Sequence, residues 1–172
     1  GDRYFLQATG DTAGVGLYNL AYRFGFLLSA IGFLPFDQVW GPKRFEIAKR
    51  GDRDALLSKG FLFVNLWLIW LALACSLFIL DFFRILTTPS FFPASRFVHL
   101  ILVAYIFQVW ASVQDIGILI SEKTEYLTLA NWIAAAVALA GYAIFIPPFG
   151  GMGAAGATLI SFFMRWLLTY RM

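Results

Sequence analysis

The sequence predicts an all-α, polytopic transmembrane helix bundle of about five spans, and three observations carry that prediction. Apolar residues of the A, V, I, L, M, F, W, Y and C set fill 60% of the 172 positions and charged residues only 13%, against about 25% in a soluble domain. Apolar runs of about 18 residues or more recur along the chain, each long enough as a helix to cross a hydrocarbon layer of about 30 Å. Basic residues gather in one short loop instead of spreading over a face, which reads as a topology signal.

The spans fall at roughly 13–37, 61–80, 98–120, 127–146 and 153–170. The second, FLFVNLWLIWLALACSLFIL, has only Asn65 and Ser76 as polar residues, and the fourth, LTLANWIAAAVALAGYAIFI, only Thr128, Asn131 and Tyr142. Neither shows the alternation over about ten residues that marks a transmembrane β-strand. Between the first two spans lies a basic loop over residues 41–60 with Lys43, Arg44, Lys49, Arg50, Arg53 and Lys59, placed in the cytoplasm by the positive-inside rule. Gly51 suits a helix C-terminal cap there and Asp52 the start of the next helix, predicting a helical hairpin that bends at Gly51. The alternating spans then put DFFRILTTPSFFPASR and PPFGGMG outside, and SEKTEY and the last residues inside. Lys123 and Arg171 join the inner set, leaving Arg3, Arg84 and Arg96 outside. An outer start without a signal-peptide pattern predicts an upstream helix.

Polar side chains at bilayer depth are the candidate functional residues, because they are costly there unless they meet water or a partner. Arg23 sits near the middle of span one, at a cost of about 2.5–3.5 kcal/mol if uncompensated. Asn19 and Gly16 share its stripe, whereas Tyr22, Gly25, Ser29 and Gly32 make a seam for close packing. Arg23 therefore lines a cavity or pairs inside the bundle. In span three Tyr105, Gln108, Ser112 and Asp115 follow at spacings of three, four and three and share one face, with Gln114 beside it. That face lines a path or forms a hydrogen-bonded helix seam. Asn131 adds a polar group to span four. Thr158, Ser161 and Arg165 share a face of span five, where Arg165 is placed to snorkel to headgroups. GGMGAAGAT, leading into that span, offers a close-packing surface or a hinge.

The function classes excluded are as informative. A formal charge of +3 with clustered basic residues does not point to nucleic acid. Cys75 is the single cysteine and His99 the single histidine, so the sequence predicts no disulfide, no metal site, no cofactor and no catalytic constellation. An enzyme acting on lipid-linked sugars would have Arg84, Arg96 and His99 at its outer surface to contact a phosphate.

The run Asp2-Arg3-Tyr4-Phe5-Leu6, then Gly16-Leu17-Tyr18 and Ala21-Tyr22-Arg23, resembles the stretch joining the seventh and eighth helices of bacterial polysaccharide and O-antigen flippases. Downstream, Gly41-Pro42, the basic loop and IPPFGGMGAAGAT follow in that family's order, so the resemblance spans nearly the whole chain by order and spacing. It implies membership of the multidrug, oligosaccharidyl-lipid and polysaccharide exporter superfamily, with two six-helix lobes about a central cavity. This chain would be part of one lobe, helices eight to twelve, with an amino-terminal lobe as its missing partner. The implied activity is non-enzymatic: moving undecaprenyl-diphosphate-linked oligosaccharide from inner to outer leaflet of the bacterial cytoplasmic membrane. Its implied partners are that substrate, membrane lipid and polysaccharide polymerase machinery. Arg23, Asn19, Tyr105, Gln108, Ser112, Asp115 and Asn131 would line the substrate pathway, with Arg3 and Arg96 at its outer mouth. Two other readings stay open: a multidrug or cation-coupled exporter using Asp115 for coupling, and a structural subunit in which Arg23 and Asp115 pair.

Overall fold

The computed structural model describes residues 12–47, 49, 51–120 and 124–171. The described residues form five α-helices, α1 Thr12–Gly32, α2 Leu34–Ile47, α3 Arg53–Leu86, α4 Ser95–Ile120 and α5 Thr124–Arg171, with a 3-10 segment at Pro89–Ala94 between α3 and α4. Among the described residues there is no strand. Among the described residues, helices α3, α4 and α5 are long and apolar enough to cross a membrane, and the bent pair α1–α2 makes a fourth if the two count as one span.

Span one was expected to run unbroken over 13–37, but the helix bends by about 40° where α1 meets α2. Pro35, in the first turn of α2, has no N–H to give and its ring crowds the carbonyl four residues earlier. Hydrogen bonds from the Phe33 amide to the Ser29 carbonyl and from Asp37 to Phe33, both 2.9 Å, carry the chain through the bend. The hairpin expected at Gly51 also differs in detail. Helix α2 ends at Ile47, four residues earlier, and Asp52 stands at the start of α3 without a side-chain capping bond.

Helix α5 is 48 residues long, about 72 Å if it were straight, more than twice the hydrocarbon thickness. It is not straight. Pro147 and Pro148 remove two amide donors, and Gly150 takes φ 53 and ψ −130, a region closed to most side chains. The arms, residues 124–149 and 151–171, fold back on one another. A Cβ on Gly141 would lie 2.9 Å from that of Ala157, and one on Gly153 would strike the Phe145 carbonyl. Small residues thus let the backbones touch, as in close-packed membrane helices. The predicted spans 127–146 and 153–170 fall inside these arms.

Helix α4 lies at the centre, packed against α5, α1 and α3. Its Val98, Ile101, Leu102, Tyr105 and Val109 join Tyr18, Leu28, Leu68, Phe83 and Ile146 in one core. Helix α3 is peripheral. Val64, Leu68, Ala72, Ile79 and Phe83 are buried on one stripe, while Leu62, Phe63, Leu66, Trp70, Leu77 and Ile85 are exposed around the rest. A helix apolar all round with most of its girth uncovered suits lipid as its solvent.

Candidate functional site

Two open clefts flank α1. The first, about 420 Å³, is lined by Gly16, Asn19, Leu20 and Arg23 of α1 and by Leu86, Thr87, Thr88 and Phe91 around the end of α3. The stripe read from the sequence therefore lines a hollow, and Arg23 is exposed beside it. The Asn19 Oδ1 oxygen is buried and, among the described residues, accepts no hydrogen bond.

The second cleft, about 410 Å³, is the more polar and lies among α1, α4 and both arms of α5. Tyr22, Gln108, Asn131, Tyr142, Thr158, Ser161 and Arg165 supply its polar lining. Small side chains at Ala134, Ala135 and Ala138 on the first arm leave the room. Each end of this cleft is tied by a polar cluster.

Near the carboxy-terminal ends of α4 and α5, Arg165 is the hub. Its Nη2 donates to Asp115 Oδ2 at 2.7 Å and its Nε to Asn131 Oδ1 at 2.8 Å. The two charged side chains are 17% and 18% exposed, so the pair is shielded enough for its charges to need each other. The charge-assisted bonds join α4 to both arms of α5. Ser161 adds a bond between the arms, donating to the Ala134 carbonyl at 2.8 Å.

Toward the Gly150 turn, Thr158 ties three segments together. Its hydroxyl donates to the Ala154 carbonyl at 2.9 Å. With its one proton so used, it accepts from the hydroxyls of Tyr18 and Tyr142, at 3.1 and 3.0 Å. Tyr18 is 0% and Thr158 2% exposed, which makes this a buried junction of α1 with the α5 hairpin.

The residues of the α4 stripe have different fates. Gln108 lines the polar cleft, with its Oε1 buried and accepting no hydrogen bond among the described residues. Asp115 reaches Arg165 from outside the lining. Tyr105 is buried under the cleft, its ring edge-on to Tyr22 and Phe162 at 5.6 and 6.0 Å. Ser112 donates back to the Gln108 carbonyl at 3.0 Å and lines neither cleft. Gln114, with its amide turned to suit both neighbours, accepts from Trp166 Nε1 at 3.1 Å and meets the Thr169 hydroxyl at 2.9 Å. Asp115 and Asn131 are thus brought together on Arg165, with Gln108 in the same cleft wall, while Asn19 and Arg23 stand apart on the other side of α1.

Arg165 is the principal departure from the sequence reading. Snorkelling to headgroups was expected of it, but it turns inward to Asp115. Asp115 pairs with Arg165 and Arg23 is exposed, so the mutual pairing that would have favoured the structural-subunit reading is not found. The spacing of Thr158, Ser161 and Arg165 was the signal for their shared face; Tyr22, expected only in a close-packing seam, packs on Tyr105 and also lines the polar cleft, and Tyr142 carried no signal beyond its hydroxyl. Arg3 lies outside the described residues. Arg96 is exposed at the start of α4, and Arg84 forms an exposed pair with Asp81 at 3.2 Å. His99 Nδ1 lies 3.2 Å from the Ser95 carbonyl. No group of three or more His, Cys, Asp or Glu suited to a metal ion occurs among the described residues.

Comparison with protein-family models, with curated proteins and with solved structures finds no match to this chain.

Proposed function

We propose that this chain is part of a multi-pass flippase of the bacterial cytoplasmic membrane, carrying lipid-linked, diphosphate-bearing oligosaccharide from the inner to the outer leaflet without covalent chemistry. The observation that carries this reading is the polar cleft with Arg165, Gln108 and Asn131 in its wall, inside a bundle otherwise fit for lipid. A diphosphate and its sugars cannot cross hydrocarbon unaided, because a charge stripped of water is held at a cost of many kcal/mol. A wall of hydroxyls, amides and one guanidinium offers such a head substitutes for water, while the polyprenyl tail stays in lipid.

In this reading the spans 127–146 and 153–170 cross separately, giving five crossings, and the open side of the cleft faces a second lobe supplied by the amino-terminal part of the same protein. Rocking of one lobe on the other then exposes the cleft to each side in turn. Arg23 and Asn19, on the other side of α1, form a second polar station, and Arg96 stands at the outer mouth.

Deleting the gene should abolish surface polysaccharide while lipid-linked precursor accumulates in the inner leaflet, and the wild-type gene should restore export. Normal surface polysaccharide in the deletion strain, with no build-up of precursor, would refute the assignment.

A further inference from the structure

Arg165 pairs with Asp115 and also belongs to the lining of the polar cleft. Of its guanidinium nitrogens, Nε is taken by Asn131 and Nη2 by Asp115, whereas Nη1 makes no hydrogen bond among the described residues. The guanidinium side chain lines the polar cleft, but Asp115 does not. The carboxylate on α4 therefore pairs with the cation without itself lining the cleft.

We propose that Arg165 is an anion-exchange site in which Asp115 is the resident anion, displaced when a phosphate-class oxyanion enters the cleft. This rests on reading the cleft as a substrate path. A guanidinium presents its donors as a planar fork that matches carboxylate and phosphate alike. An incoming diphosphate offers more charge and more oxygens than one carboxylate, and the amides of Gln108 and Asn131 stand on the same wall. With the cleft empty, Asp115 compensates a cation that would otherwise be expensive at bilayer depth. With the anion bound, the carboxylate is freed. On release it returns, so it competes with the ligand and keeps the site from holding its cargo too tightly to let go. Asn131 positions the guanidinium through Nε in both states.

The test titrates inorganic pyrophosphate into the full-length protein in phosphatidylcholine nanodiscs, by calorimetry. Asp115→Asn keeps a hydrogen-bond acceptor but removes the competing charge, and should bind pyrophosphate about tenfold tighter than wild type or better. Arg165→Ala should lose binding. Where Arg165→Ala does not assemble, Arg165→Gln, which keeps most of the volume, takes its place. Opposite shifts in the two variants support exchange, because a purely structural pair would lower thermal stability in both and leave pyrophosphate affinity alike. Equal affinity in wild type and Asp115→Asn, or binding that survives loss of Arg165, overturns the proposal. Repeating the titration with phosphatidylglycerol added tells the source of the anion. Weaker apparent binding means that lipid phosphates also reach Arg165, and unchanged binding means that only cleft-borne anions do; either outcome upholds exchange. Opposite shifts in a protein whose deletion leaves polysaccharide export intact would keep the exchange site and discard the flippase.

Discussion

Thr158 illustrates how much rests on one hydroxyl. Replacing it with valine keeps its shape but removes the acceptor shared by Tyr18 and Tyr142, in a place where Tyr18 is sealed from solvent. The expected cost is about 0.5–1.5 kcal/mol for each hydrogen bond lost, read as a lower melting temperature in detergent, and Thr158→Ser should recover most of it. Arg23 differs because it is exposed beside its cleft with no packing to lose. Arg23→Ala should cut glycan export while protein level and melting temperature stay normal; unchanged export would remove Arg23 from the path. At this scale the sequence was a partial guide. Gln108 and Asp115 were legible because a helical face of polar residues has no good lipid-facing solution. Arg165 was not, because a basic residue close to a predicted span end satisfies the snorkelling rule equally well, and its partner Asp115 is 50 positions away in the chain. Only packing decides between the two.

The α5 hairpin makes the sharpest element-scale prediction. Gly141 and Ala157 are so close that a methyl group at 141 must displace its neighbour. Gly141→Ala should therefore lower thermal stability, and adding Ala157→Gly should restore much of it by moving the methyl from one arm to the other. No recovery in the double variant would show that the arms are not in contact there. Gly150→Ala should also destabilise, by about 1 kcal/mol, since its φ of 53 favours glycine. The positions of α3, α4 and the two arms of α5 were legible because uninterrupted apolar runs leave little choice but helix. The bend before Pro35 was missed although its cause is in plain view, since a proline near a helix start is as compatible with a first turn as with a kink. Whether the Ser29 and Phe33 carbonyls keep their partners through the bend depends on how α1 packs, and that is not written in the local sequence.

For the whole molecule, the basic loop and the 3-10 segment lie at opposite ends of α3, and the positive-inside rule predicts a cytoplasmic place for the loop. In a Cys75→Ala background, single cysteines at Lys49 and at Ser90, both exposed, should react with a membrane-impermeant maleimide from opposite sides: Ser90→Cys in intact cells and Lys49→Cys only after permeabilisation. Labelling of both from one side would overturn the topology and, with it, the direction assigned to transport. The exposed belt of α3, with Trp67 and Trp70 stacked at 5.5 Å, should face lipid, so lipid-borne bromine should quench tryptophan fluorescence.

Tyr22 and Arg23 are sequence neighbours, yet they border different hollows, because one step along an α-helix turns the side chain by about 100°. Helix α1 is in effect a party wall. A roll of it about its own axis that draws Tyr22 out of one chamber would move Arg23 relative to the other, so such a roll would reshape both chambers at once.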